Sequence, residues 1–397
     1  MSPVTIGAAS VHNGTDDAPL RRVLIIKSRH IGDVLLTGPL IASIRRGPGN
    51  PRITALVKKG TEAMLRHHPG VDEVLTFPHR EPGETSWAFL KRQWVFFAAL
   101  RRRRFDLAIT TTEGDRGIIT ARLSGASTRI GIADRDGPRW RRALLTDPRT
   151  PRQGRIHTVM RNLDLLPTGI SPVPRVELGY PAEARARLDR LLSERGATDG
   201  RPLAAVHPGA RWLFKCWTPA GMAAVIDHLS GRGFQVIVTG SPDADEQSHV
   251  TDVLKRTTTR PIALHDAGLS LLDAAAAIDR AKVFVGVDSA PMHMAAALDT
   301  PVVTLFGPSG GWDWGPWPNG WNGGDTPYPA DHGTQRVGRH VIIQDIRPCV
   351  PCGRAGCDNT RRSACLEDLP VDRVLREIDI TLEREGLVPP RDDQTPA

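Results

Sequence analysis

Nowhere does the 397-residue chain hold the run of about 18 to 20 consecutive apolar positions that a membrane-spanning helix needs. Its longest apolar stretches, 95–100 and 283–287, are quickly interrupted, which excludes a chain that crosses a bilayer on helices. Residues 1–20 lack the basic start followed by an apolar run that marks a secretion signal, so a polar, disordered tail and a cytoplasmic location are expected. No repeat of fixed period recurs, which leaves repeat architectures without support. Cysteine is scarce, five in all, and four of the five fall within residues 349–365.

What is present fits a packed protein. An apolar fraction of 40% and a charged fraction of 24% lie near globular averages, and the length exceeds one ordinary core and suits two lobes of about 150 to 200 residues each. A net charge of +8 implies attraction to something anionic: nucleic acid, a membrane surface or a phosphorylated substrate. Charge alone does not choose among them, and a surplus of arginine on solvated faces accounts for it equally.

The hydrophobic pattern alternates. Short buried-strand patterns at 21–27, 53–57, 73–77 and 106–110 are separated by helix-length segments that include 34–45, 61–67 and 87–102. After a proline-rich passage at 167–181, strands at 203–207, 235–239, 283–286 and 302–306 alternate with helices at 182–195, 219–232, 243–255, 270–280 and 290–298. The class expected is α/β, with two doubly wound parallel-sheet lobes that place ligands at the carboxyl ends of their strands. The divisions expected are a tail at 1–20, a first lobe at 21–175, a second at 176–370, and a helix and tail at 371–397.

Four strand-end loops carry the chemistry. Ser28-Arg29-His30-Ile31-Gly32-Asp33 closes the first strand and enters a helix: Gly32 suits a close backbone approach or an unusual dihedral, and Asp33 is either a helix cap or a carboxylate facing the cleft. Asp288-Ser289-Ala290-Pro291 opens a helix whose first amides suit a diphosphate, with Ser289 as cap or phosphate donor and His293 as a ligand or a packed core residue. His207-Pro208-Gly209-Ala210-Arg211 through Lys215 precedes a proline-started helix, where the cations suit an anionic leaving group or are merely solvated. Thr239-Gly240-Ser241-Pro242-Asp243 leads to Glu246, either a ribose acceptor or a first-turn charge.

Two further features stand outside these loops. Cys349-x2-Cys352-x4-Cys357-x7-Cys365 is compatible with a four-thiolate zinc site, with reduced packed thiols, or with redox-labile pairing. Residues 91–104 (KRQWVFFAALRRRR) combine aromatics with dense positive charge, suiting either a membrane surface or a core-packed helix.

Taken together, Ser28-x-x-Ile31-Gly32-Asp33, His207-Pro208-Gly209-Ala210, Lys215-x-Trp217, Asp288-Ser289-Ala290-x-x-His293 and Phe306-Gly307-Pro308-Ser309 resemble glycosyltransferase family 9, and within it the lipopolysaccharide core heptosyltransferases of the third-heptose type. The resemblance covers residues 21–385, with Trp314-Gly315-Pro316-Trp317 and the cysteine cluster pointing to that subgroup. It implies a GT-B fold, an N-terminal lobe for a lipid-linked core oligosaccharide acceptor and a C-terminal lobe for ADP-heptose. It also implies Asp33 as general base, Lys215, Asp288, Ser289, Ala290 and His293 around the diphosphate, Glu246 at the ribose and Leu269 at the adenine. Arg116, Arg155 and His157 are expected at acceptor phosphates. No cofactor and no metal in the chemistry are implied, and contact with the inner membrane would be peripheral. The role of the 312–321 stretch is open. The alternatives are a GT-B transferase using another nucleotide sugar, a zinc-containing nucleic-acid-binding protein, and a lipid-surface adaptor.

Overall fold

The computed structural model describes residues 20–112, 114–197 and 200–388. The tails expected at 1–20 and after Val388 lie outside the described residues, apart from Leu20. Two parallel sheets form. The first contains β1 (Arg22–Lys27), β2 (Arg52–Val57), β3 (Glu73–Thr76), β4 (Leu107–Thr110), β5 (Thr128–Ile132) and β6 (Asp147–Arg149), in the order β3-β2-β1-β4-β5-β6. The second contains β7 (Leu203–His207), β8 (Gln235–Val238), β9 (Ile262–Ala263), β10 (Val283–Val287), β11 (Val302–Phe306), β12 (Gly333–Val337) and β13 (His340–Gln344), in the order β12-β13-β11-β10-β7-β8-β9. Every described pairing is parallel except β12 with β13.

Central strands such as RVLIIK and VFVGV are apolar on both faces because helices cover both sides, the condition of a parallel sheet. The strand order reverses between β1 and β4 in one sheet and between β7 and β10 in the other. At such a point neighbouring loops leave in opposite directions and open a crevice. The loops carrying Asp33, Lys215 and Asp288 all leave from these two places.

The segment expected as one helix at 34–45 is two, Ile31–Leu35 and Gly38–Arg46, because Pro39 lacks an amide hydrogen and starts the second. Past Gly307, where the alternation fades, β12 and β13 still form a hairpin, and β13 pairs in parallel with β11. The last helix, Val371–Arg384, buries Val374, Ile378 and Leu382 in the core of the second sheet. Helix Ser86–Arg102 buries only Leu100 fully, and leaves Trp87, Leu90 and Trp94 exposed at 69%, 63% and 76%. It is not a core helix.

The lobes are not independent. One apolar cluster joins Val34, Leu35 and Leu40 of the first to Met292, Ala295 and Ala296 of the second.

Candidate active site

Strand β1 ends on a charge. Lys27 is 5% exposed. Its Nζ donates to the Thr111 carbonyl just past β4 at 2.9 Å and lies 3.5 Å from Asp33 Oδ1, so the ammonium bridges the reversal point of the sheet. The other Asp33 oxygen, Oδ2, accepts the His30 amide at 3.3 Å. Asp33 thus serves the helix start, as one alternative held: one oxygen closes the first turn while the other meets a buried cation.

Across the cleft, β10 delivers Asp288, also buried, whose Oδ2 accepts from Lys215 Nζ at 2.6 Å. Burial pushes the Asp288 carboxyl up, but the Lys215 ammonium and the Ser309 hydroxyl outweigh it and hold the group below the usual carboxylate range. Ser289 is extended and its side chain does not cap helix Ala290–Ala297. Its Oγ and the Nδ1 of His293 are among the buried polar atoms with no hydrogen-bond partner among the described residues. Such atoms are costly to leave unpaired unless a ligand meets them.

His293 connects the two halves. A Cβ on Gly32 would stand 2.7 Å from its Cδ2, so the glycine is required by close approach of the imidazole. Burial lowers the His293 pKa to about 4, against the pull of both Asp288 and Asp33, so the ring is neutral at pH 7. The loop before Lys215 completes the contact. Trp212 meets His30 edge-on with ring centroids 5.3 Å apart, and Lys215 Nζ sits 5.5 Å from the Trp212 ring centroid.

Glu246 is buried beside the same loops. It accepts the Ser241 amide at 2.8 Å and hydroxyl at 2.6 Å, and lies 3.4 Å from His207 Nε2. It is a first-turn residue, as one alternative held, yet its carboxylate faces inward and braces two strand-end loops. Leu269 lines a groove of about 320 Å³ with Arg187, Arg190 and Asp273, and that groove includes none of Asp33, Lys215, Asp288 or His293.

The three residues expected at acceptor phosphates part company. Arg116 is exposed near the end of β4, its guanidinium 4.4 Å from the Phe77 ring. Arg155 is committed to Asp331 at 2.6 Å and to the Pro329 carbonyl at 2.8 Å. His157 is fully buried, with Nδ1 accepting from the Val159 amide and Nε2 donating to the Gly315 carbonyl at 2.9 Å. Burial holds its pKa at about 3, so it has neither the charge nor a free nitrogen for a phosphate.

A family model described as glycosyltransferase family 9 (heptosyltransferase) matches residues 93–325, more than half of the sequence. Lipopolysaccharide heptosyltransferase 3 of Escherichia coli is 31% identical over 295 residues, spanning 73% of this chain and 85% of that relative. The chain belongs to glycosyltransferase family 9. Its fold is GT-B, resembling E. coli ADP-heptose lipopolysaccharide heptosyltransferase II with a TM-score of 0.69 at 20% identity over 92% of this chain and 99% of that one. It likewise resembles E. coli heptosyltransferase WaaC with ADP, with a TM-score of 0.65 at 19% identity over 91% and 99%. The nucleic-acid-binding and adaptor alternatives fall away.

In this glycosyltransferase the tryptophan-rich stretch has a mechanical role. Trp317 Nε1 donates to the Pro174 carbonyl at 2.7 Å, Asn319 exchanges hydrogen bonds with the Val176 backbone, and Thr158 Oγ1 donates to Asp313 at 3.0 Å. A segment of the second lobe thus grips the chain that leaves the first. The sequence reading passed over Lys27, although a lysine ending a buried apolar strand is a recognisable signal. Trp212 was not singled out either, and its meeting with His30 across the cleft leaves no trace in the local pattern.

The buried neutral histidines make stability depend on pH. His157 and His293 have folded pKa values of about 3 and about 4 against an ordinary 6.5, so the unfolded chain takes up protons that the folded one refuses. Stability is expected to fall as pH drops from 6.5 toward 4, by up to about 1.4 kcal/mol per pH unit for each histidine. Urea unfolding at about pH 7 and about pH 5 measures this; an equal or higher midpoint at the lower pH would contradict it.

Proposed function

We propose that the enzyme transfers heptose from ADP-heptose to a hydroxyl of the lipopolysaccharide inner core, with inversion, in a cleft where Asp33 is the base and the Lys215–Asp288 pair meets the diphosphate. The observation that carries this reading is the contact of His293 with Gly32, which brings an acidic group of one lobe and a cationic group of the other to a single place.

The acceptor hydroxyl attacks the anomeric carbon as the bond from that carbon to the β-phosphate oxygen breaks, and the acceptor proton passes to Asp33. Lys27 holds the Asp33 carboxylate through Oδ1 at 3.5 Å. Charge accumulates on the departing ADP, and preorganised donors there supply the term that is usually largest in such reactions. Lys215, the amides at Ser289 and Ala290, and the partnerless Ser289 Oγ and His293 Nδ1 are those donors. A neutral His293 serves as a hydrogen-bonding group without setting a third cation between Lys27 and Lys215. Glu246 keeps lone-pair capacity beyond its bonds to Ser241 for a ribose hydroxyl, and Leu269 contacts the adenine. Arg116, exposed near the end of β4, takes an acceptor phosphate.

Replacement Asp33→Asn removes the base without changing shape. Transfer from ADP-heptose to a truncated core acceptor should fall by about 10²- to 10⁴-fold while ADP affinity measured by calorimetry stays near wild type. Full transfer by the folded variant would remove Asp33 from the mechanism, and failure of the wild type to bind ADP would remove the assignment of the second lobe.

A lipid-linked acceptor places the reaction at the cytoplasmic face of the inner membrane, and helix Ser86–Arg102 is suited to meet that surface. Trp87, Leu90 and Trp94 recur at i, i+3 and i+7 on one exposed face, with Lys91, Arg101 and Arg102 exposed on the same helix. Tryptophan at the headgroup level and cations against anionic lipid are the two elements of interfacial binding. The protein should co-sediment with phosphatidylglycerol vesicles at low salt, and the double substitution Trp87→Ala/Trp94→Ala should leave most of it in the supernatant. Equal sedimentation of both proteins would show that this face makes no membrane contact.

A further inference from the structure

Glu246, placed at the ribose in the proposed reaction, is held by residues to which that reaction gives no part. It is buried in the first turn of helix Ala244–Leu254, where Oε1 accepts the Ser241 amide and Oε2 the Ser241 hydroxyl. A second set of contacts comes from the end of β7. His207, also buried, sets Nε2 3.4 Å from Glu246 Oε1, longer than an ordinary hydrogen bond, and Nδ1 2.9 Å from Thr239 Oγ1 just past β8. Further along the same loop, a Cβ on Gly209 would stand 2.4 Å from Glu246 Cγ. The end of β7 thus packs bare backbone against the Glu246 stem and an imidazole against its head.

The chemistry of these groups sets where the ring proton lies. Burial lowers the His207 pKa against the pull of Glu246, so the imidazole is neutral at pH 7, with one N–H and one bare nitrogen. Glu246 already accepts from the Ser241 amide and hydroxyl, so the oxygen it turns to His207 is an acceptor as well. The ring proton therefore belongs on Nε2, facing Glu246, and Nδ1 accepts from the Thr239 hydroxyl. The sheet itself delivers that hydroxyl: Thr239 is buried, and its amide donates to the Val206 carbonyl at 3.0 Å.

We propose that His207, held in one tautomer by Thr239, is a positioning residue whose Nε2–H orients the Glu246 carboxylate to accept a ribose hydroxyl of the donor nucleotide. The proposal rests on the assignment of Glu246 to the ribose. The last torsion of a glutamate is broad, and the bonds from Ser241 fill only part of its acceptor capacity. The imidazole limits that torsion and so fixes which lone pairs remain for the ligand. Without the Nε2–H, Glu246 keeps its bonds to Ser241, but the hydroxyl meets a less ordered acceptor. The diphosphate still binds at Lys215 and Asp288. What is lost is the distinction between a ribose that carries the hydroxyl and one that lacks it.

The test compares full-length wild type with His207→Asn, His207→Gln, Thr239→Val and Glu246→Gln, each checked by circular dichroism. Calorimetry measures their affinities for ADP, 2′-deoxy-ADP and 3′-deoxy-ADP. A site built to bond a hydroxyl rejects the analogue that lacks it, so the wild type should prefer ADP to one deoxy analogue by about tenfold or more. An asparagine amide reaches the place of Nδ1 but not that of Nε2. His207→Asn should therefore cut the preference to about twofold, with affinity for that deoxy analogue near wild type. A glutamine amide reaches Nε2, so His207→Gln should keep most of the preference, and Thr239→Val, which frees the tautomer, should lower it by about threefold. A merely structural role would weaken ADP and its deoxy analogues alike. An unchanged ratio in His207→Asn would overturn the proposal, as would His207→Gln behaving like His207→Asn. If the His207 variants do not fold, Thr239→Val decides, and an unchanged ratio there overturns it. A wild type without preference, or Glu246→Gln with the wild-type preference, would instead remove Glu246 from the ribose and take the proposal with it.

Discussion

The imidazole of His293 against the bare backbone of Gly32 fixes how closely the two lobes approach, and the site depends on that distance. On one side stand Lys27 and Asp33, on the other Lys215 and Asp288, each pair formed from strand-end groups of its own sheet. A Cβ at position 32 would meet the ring at 2.7 Å, so any other residue there forces either the imidazole or the helix to move. The tryptophan-rich stretch holds the lobes from a second direction, through Trp317, Asn319 and Asp313. Held at two places, the lobes keep their charged loops in register.

Such an arrangement is poor value for stability alone. A buried ion pair recovers its desolvation cost only with good geometry and further hydrogen bonds, and apolar replacement is often as stable. Asp288 has both, in Lys215 and Ser309, whereas Ser289 Oγ and His293 Nδ1 are left without partners in the same pocket. The protein therefore keeps unsatisfied polar atoms next to a satisfied pair. That pattern supports the proposed binding of an anionic donor there, since perturbed and unpaired polar groups gather where chemistry occurs.

The sheets were legible because parallel strands covered on both faces write long apolar runs, whereas the strand order, and with it the reversal points, is set by tertiary pairing that the alternation does not record. The short edge strands were not: β6 reads Asp-Pro-Arg, and β9 has two residues. Their pairing comes from neighbours already in place. Gly32, Asp33, Lys215 and Asp288 were legible as loop motifs at strand ends. His157 was misread because an isolated histidine shows no burial in the sequence, and its cap on Val159 and bond to Gly315 join residues from different lobes. The pairing of exposed Arg155 with Asp331 was not legible either, since Asp331 lies far along the chain. Glu246 illustrates a middle case: its place in the first helical turn was readable, its inward turn onto Ser241 and His207 was not.

A direct displacement across this cleft has a stereochemical signature. Proton NMR of the newly formed glycosidic linkage, made from ADP-heptose of known anomeric configuration and a truncated core acceptor, reads that signature without reference to any variant. The account predicts a product anomer opposite to that of the donor. A product that retains the donor configuration would require a second displacement through a group other than Asp33 acting as base, and would contradict the mechanism at its centre.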